Sequence, residues 1–435
     1  MAQSRREAQI TSGKPRISPD APNPLGPAGG AEPRATFGEV FRIGEFRALW
    51  IAQVLSVAGD QLARVAITLL VFDRTHSALL AAVAFAASVI PTFAGALLLS
   101  GLADRWPRRR VMIGCDLGRA GLVGLMAVPG IPLAVQVCLL VLVTLVSAPF
   151  SSARAALYPD ILAGDRYVLG TAVTLTTLQF AQVLGFAVGG AAVGFFGVRT
   201  ALLADAATFI LSAVITRLWV LARPPAGASL PHPDRAATPP GGAGRQLRAG
   251  IRLVLGTPAL RTPMLLGWLA AFYNVPEGVA APLGHDLGGG PAAVGLILAA
   301  GAFGASLGAV LFSRLVEPER RLRWMSPLAA MSCGVLVLFV FQPPLPAALL
   351  VLVTGGLFDC YQLAANAAFV RAVPDGQRSQ AFGLAQGGMS LGQGVAMILA
   401  GAAAQRFAPS LVIAISGAVG AAVAVLIALL RSRTS

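Results

Sequence analysis

The sequence predicts an all-α polytopic membrane protein of about twelve transmembrane helices, arranged as two pseudo-symmetric halves of six. Three observations carry this. Hydrophobic residues make up 56% of the 435 and charged residues only 12%, against about 25% charge in a soluble domain. Apolar runs of about 20 residues, enough to cross a hydrocarbon core of about 30 Å, recur down the whole chain. The arginines gather in alternate loops between those runs, the pattern that sets orientation in a bilayer.

In chain order, residues 1–36 are rich in Pro, Gly and Arg without an apolar run, and are expected to form a disordered cytoplasmic tail. No apolar segment follows Arg5 and Arg6 closely enough for a signal peptide. Phe37–Arg47 is short and amphipathic and is expected at the membrane interface. Twelve predicted spans follow at approximately 48–72, 77–100, 111–129, 132–153, 167–194, 200–220, 262–283, 292–313, 324–342, 346–369, 379–404 and 409–430. Between the sixth and seventh, residues 223–250 break the rhythm with Pro224-Pro225, Pro231, Pro233, Pro239-Pro240 and Gly241-Gly242, the composition of a flexible linker. The expected domains are therefore residues 37–222 and 251–430, with a short tail at 431–435.

One set of loops holds Arg105 to Arg110, Arg154 with Arg166, Arg217 to Arg261, Arg314 to Arg323, and Arg371 with Arg378. The other holds only Arg74, Arg199 and Arg406. Both tails fall with the first set, so both termini are expected to be cytoplasmic. The net charge of +14 is thus accounted for by orientation, and no nucleic-acid partner is expected. The partner is the lipid bilayer. Cys115, Cys138, Cys333 and Cys360 sit singly in apolar runs, with neither metal spacing nor a disulfide framework. Lys14 is the only lysine, a bias attributed to codon pressure.

A degenerate internal repeat supports the two halves. Tyr158-Pro159-Asp160 and Gly164-Asp165-Arg166 precede span 5, and Val373-Pro374-Asp375 and Gly376-Gln377-Arg378 precede span 11. Both spans are rich in glycine. Parallel repeats of this kind build two-halved transporters.

The most distinctive stretch is Gly101-Leu102-Ala103-Asp104-Arg105-Trp106-Pro107-Arg108-Arg109-Arg110, between spans 2 and 3. Gly101, Asp104, Arg105, Arg109 and Arg110 match the charged loop between helices 2 and 3 of the major facilitator superfamily, which the chain resembles over roughly residues 40–430. Arg108 stands where that family usually has Gly. Asp73-Arg74-Thr75-His76-Ser77, Gly59-Asp60 and Gly376-Gln377-Arg378 point further, to its bacterial proton-driven multidrug, macrolide and siderophore exporters. Gly185-Phe186-Ala187-Val188-Gly189-Gly190 resembles the antiporter signature of span 5, with Phe186 in place of the usual Pro. Generic small-residue packing explains the same glycines.

A charge within a span costs about 2.5–3.5 kcal/mol on insertion scales and is usually functional. Asp60, Glu277 and Asp359 fall well inside spans 1, 7 and 10, which the resemblance places around a central cavity. Asp60 and Arg64 are four residues apart and can pair on one helix face, either to fix packing or to serve the cavity. Glu277, between Pro276 and Gly278 and near Trp268 and Tyr273, is either a cavity group or a solvated outer residue. Asp359 has Tyr361, Gln362 and Asn366 beside it and is the expected proton carrier, with Asp60 the fixed charge. Asp116 and Arg119 are expected to lock the inner gate, Asp205 to be interfacial near Arg199, and Arg154 to relay charge or simply to be positive-inside.

His76, His232 and His285 are isolated, and no GxxxxGK[ST] loop occurs. Neither an enzyme, a metal site, a cofactor nor an ATP-driven pump is expected. The resemblance implies a monomeric secondary transporter of the bacterial plasma membrane, exporting a small amphiphilic molecule against protons. An importer or facilitator, and a membrane scaffold or sensor without transport, are the alternatives.

Overall fold

The computed structural model describes residues 36–99, 106–223, 252, 256–317, 319–373 and 378–432. Gly101, Asp104 and Arg105 of the charged loop, residues 224–250 of the predicted linker, the tails and the Pro374–Gln377 part of the repeat lie outside them.

In a bilayer each backbone N–H and C=O must be satisfied within the segment, so an apolar run folds as a helix. Gly44–Thr75 forms span 1, Arg108–Met126 span 3 and Leu133–Ile161 span 4. Span 2 is Ala78–Ala86 followed by Ile90–Leu99, interrupted just before Pro91, which has no N–H to donate. Spans 5 and 6 lie in one 55-residue segment, Asp165–Trp219. At about 1.5 Å per residue this would reach roughly 80 Å if straight. Gly197, with φ 78° and ψ 164°, turns it back into two spans at a conformation that favours glycine.

The second half is more broken. Span 7 consists of Pro258–Trp268, Ala270–Tyr273, Val275–Gly278 and Ala280–Asp286. Span 8 is Gly290–Leu315, span 9 is Arg321–Gly334 continued by a tighter 3-10 turn over Val335–Phe341, and span 10 is Leu345–Phe358 with Tyr361–Ala372. Arg378–Ala403 and Pro409–Ser432 complete spans 11 and 12. Among the described residues eight helices are long and apolar enough to cross a membrane. Large side chains such as Phe195, Phe196, Leu350 and Leu399 are exposed around the rim, where lipid rather than water is the solvent.

The halves meet closely at one end of the bundle. A Cβ on Gly190 of span 5 would lie 2.6 Å from Cα of Gly295 in span 8, an approach that needs two glycines. Phe72 and His285 stack edge to face at 5.8 Å, and Gln405 Nε2 donates to Ser77 Oγ at 2.5 Å. Gly185 and Gly189 lie against Ala58 and Leu62 of span 1, so the span 5 glycines serve helix contacts on both sides of the chain.

Candidate functional site

The first half holds a buried charge network built by spans 1, 3 and 6. Arg119 is 1% exposed, with its guanidinium 4.2 Å from the Phe209 ring centre and 4.8 Å from that of Phe150. One nitrogen donates to Asp116 and another lies 3.5 Å from Asp60 Oδ2. Asp116 also accepts from Ser212 Oγ at 2.6 Å. Asp60 is therefore paired with Arg119 of span 3, and the expected Asp60–Arg64 bridge within span 1 is not made at 4 Å. Helical spacing allows that pair, but the Arg64 side chain is held elsewhere. It donates to Ser88 O at 3.4 Å and lies over the Phe85 ring at 5.6 Å.

Asp116 and Arg119 are wholly enclosed in this network within the first half. Asp205 is also fully buried instead of interfacial. Its carboxylate occupies the space that a side chain at Gly59 would take, Thr208 Oγ1 donates to Oδ1 at 3.3 Å, and Oδ2 has no hydrogen-bond partner among the described residues. Only a glycine opposite Asp205 leaves room for it, which makes the Gly59-Asp60 pair a packing requirement as well as a charge.

Arg154 donates to Tyr158 Oη at 3.3 Å and stacks on its ring, and Tyr158 in turn meets Gln53 and Thr174. Of the charged loop, Arg108 donates to Ala156 O at 2.7 Å and to Asp160 Oδ2 at 2.5 Å, tying span 3 to span 4. Arg109 donates to Arg217 O of span 6, and Arg110 is exposed. Arg108, the departure from the family pattern, is thus, among the described loop arginines, the one that makes an ion pair. At the end of span 6, Glu45 accepts from both Arg223 nitrogens and from the Leu221 N–H. That carboxylate raises the Arg223 guanidinium above the usual arginine value, so it stays charged at any accessible pH.

Two neighbouring cavities share the Gln179 and Gln182 wall, one lined by first-half residues alone and one lined from both halves. One, of about 310 Å³, has Asp60 and Arg64 in its wall. The other, of about 200 Å³, has Glu277, Asp359, Tyr273 and Asn274. Gln179 and Gln182 of span 5 line both cavities and so separate or join them. Sequence reasoning passed over this pair. The signal was present, two amides three residues apart in an otherwise apolar run, but neutral amides stand out less than charges.

Asp359 sits at the break in span 10. Its Oδ1 is shielded from solvent and has no hydrogen-bond partner among the described residues. Gln362 Nε2 donates to Tyr273 Oη and to Gly267 O, each at 3.1 Å. The Tyr273 hydroxyl, accepting there, keeps its own proton free for the cavity that Asp359 lines. Tyr361 is fully buried and donates to Leu266 O at 3.0 Å, so it packs spans 10 and 7 together and does not line the cavity. Asn366 and Trp268 line a third cavity of about 320 Å³ among spans 7, 10 and 11, and Trp268 Nε1 donates to Ala385 O at 3.0 Å.

A family model described as Major Facilitator Superfamily matches residues 49–280 and 278–435. The enterobactin exporter EntS of Shigella boydii is 27% identical over 281 residues, covering 63% of this chain and 64% of the exporter, so the match spans under two thirds of that relative. The multidrug efflux pump Tap of Mycobacterium bovis is 27% identical over 322 residues, covering 70% of this chain and 74% of the pump. Among solved structures, the nucleoside transporter NupG superposes with a TM-score of 0.66 at 14% identity, over 88% of this chain and 98% of that one. A bacterial homologue of the human lysosomal transporter Spinster, inward-facing and unoccupied, gives 0.61 at 16%, over 91% and 96%. At these identities the structural matches speak for the fold alone.

Proposed function

From the premise that this chain belongs to the Major Facilitator Superfamily, we propose that it is a secondary exporter, moving a small amphiphilic molecule out of the cell in exchange for protons. The observation that carries this reading is a cavity lined from both halves that holds Glu277 and Asp359 and adjoins, at Gln179 and Gln182, a first-half cavity with Asp60 in its wall. A buried carboxylate is costly in a bilayer unless it serves transport or is paired. The exporter direction is supported by the relatives EntS and Tap, whose names describe an exporter and an efflux pump.

In this reading residues 37–222 and 251–430 rock against each other, with both termini and the linker in the cytoplasm. The close approach of Gly190 to Gly295 is then the closed outer end of an inward-facing state. Protonation of a cavity carboxylate biases which end is open. Arg108–Asp160 and Arg109–Arg217 hold the inner ends of spans 3, 4 and 6 together as one rigid unit. Everted membrane vesicles test the proposal. An imposed inward-acid gradient should drive accumulation of a transported compound, and collapse of the gradient should release it. Accumulation only in right-side-out vesicles would make the protein an importer.

A further inference from the structure

The two halves treat buried charge differently. In the first half Arg119 serves Asp116 and Asp60, and Arg64 shares a cavity wall with Asp60, while Asp205 is buried without an ion pair among the described residues. In the second half no Lys or Arg occurs between Arg261 and Arg314, between Arg323 and Arg371, between Arg378 and Arg406, or between Arg406 and Arg431. Yet Glu277 and Asp359 both lie in those spans and both line the 200 Å³ cavity. Neither forms an ion pair within 4 Å among the described residues, and Asp359 Oδ1 has no hydrogen-bond partner. Their own half supplies nothing to neutralise them.

Arg64, the cation that approaches Glu277 from across the interface, is held to its own half by Ser88 and Phe85 and travels with span 1. Any rocking that separates the halves takes it away from Glu277. The remaining cavity wall has an aliphatic part, Ile297, Leu298, Leu336 and Leu352, and a neutral polar part, Gln179, Gln182, Asn274 and Ser332, and it carries one aromatic ring, Tyr273. Carboxylates whose own half carries no counter-charge, an aliphatic patch of wall and an aromatic ring suit a guest that is positive at one end and greasy at the other.

We propose that this cavity is the binding site for an organic cation, an amine or quaternary ammonium with an apolar body, held between Glu277 and Asp359. The proposal rests on the exporter reading and names its substrate class. The site holds protons or the cation in turn. As the cation enters, a carboxylate releases its proton to water at the open end, and reprotonation from the other side expels the guest. Charge is conserved, since one positive charge leaves the pair for each that arrives. Besides Arg64 from span 1, the titratable groups near the pair among the described residues are Tyr273 of span 7, Cys333 of span 9, and Cys360 and the packed-away Tyr361 on the span of Asp359 itself.

The test is isothermal titration calorimetry on the full chain in lipid nanodiscs. The probes are benzyltrimethylammonium and, as an anion of similar size, phenylmethanesulfonate. Buffers of different ionisation enthalpy report protons released. The cation should bind with proton release and tighten as pH rises, by up to roughly tenfold per pH unit for each proton displaced. The anion should not bind. Glu277→Gln and Asp359→Asn should each weaken the cation roughly thirtyfold or more, while Asp359→Glu, which keeps the charge, should retain it. Size-exclusion profiles check that the variants remain folded. Cation binding undiminished in Glu277→Gln/Asp359→Asn, or binding of the anion in place of the cation, overturns the proposal.

The exporter reading fails separately. If everted vesicles accumulate an anionic compound under the gradient and the cation does not bind, the substrate class is wrong and export stands. If the cation binds as described but is never accumulated, export is wrong and the site stands.

Discussion

Arg119 on span 3 reaches 3.5 Å from Asp60 on span 1 while holding Asp116, a single guanidinium shared by two carboxylates and clamped between two aromatic rings. Removing it would strand Asp116 in a closed environment and leave Asp60 unpaired at the cavity wall. Arg119→Ala should lower stability by about 3–5 kcal/mol, the cost of leaving a buried partner unpaired. Thermal unfolding in nanodiscs reads this. Arg119→Lys should recover only part of the loss, because an ammonium cannot lie flat between Phe150 and Phe209. An unchanged midpoint in Arg119→Ala would mean the network bears no load.

Closure at one end depends on the contact of Gly190 with Gly295. Gly190→Leu places a side chain where Cα of Gly295 and the Pro291 carbonyl now lie, at 2.6 and 2.7 Å from the new Cβ. The end should be forced open and the population shifted to the opposite state. Leu298→Cys, in the cavity wall, should then become reactive toward an impermeant maleimide added outside intact cells. If its reactivity is the same with and without Gly190→Leu, this contact does not govern closure.

Asp359→Asn should uncouple transport from the proton gradient. In everted vesicles the final inside-to-outside ratio of substrate should fall to about one, its equilibrium value without a driving force. Asp60→Asn should slow transport while leaving a gradient-dependent ratio above one, since Arg119 keeps Asp60 as a fixed charge. Full gradient-driven accumulation in Asp359→Asn would move the proton role to Glu277.

Gln179 and Gln182 are expected to contact the guest as it passes between the cavities. Gln179→Leu or Gln182→Leu should raise KM about threefold to tenfold, the loss of a single hydrogen bond of about 0.5–1.5 kcal/mol, with little change in thermal midpoint. A parallel drop in stability and transport would assign these amides to packing.

The orientation follows from loop arginines alone. Ser229→Cys, in the stretch between the halves, should react with an impermeant maleimide in everted vesicles and not in intact cells. Reaction in intact cells would reverse the topology.

The spans were legible because burial in lipid leaves a helix as the solution for each run, and every predicted run contains helix. The break in span 7 could also be anticipated, from Pro276 and Gly278. What could not be read was which faces meet. Asp205 looked interfacial because it lies six residues from Arg199, but the turn at Gly197 folds span 6 back so that Asp205 faces Gly59. Arg64 and Asp60 had the spacing of a pair, yet the choice of Arg119 depends on the packing of spans 1 and 3, which one-dimensional spacing does not encode. Tyr361 appeared beside Asp359 in sequence and turns away from the cavity, since the break at Asp359 and Cys360 reorients the helix that follows.

The absence of a basic residue from the interiors of the second-half spans has an electrical consequence. If the guest carries one positive charge and the pair Glu277 and Asp359 takes up one proton on the return, inward and outward charge cancel and the membrane voltage does no work on the cycle. If both carboxylates are protonated on the return, one net charge moves inward per turn. A voltage of about 100 mV is then worth about 2.3 kcal/mol, a further concentration ratio of roughly fifty. Two carboxylates set that as the ceiling for this pair: the pump can draw on one elementary charge of voltage per monovalent guest, and no more.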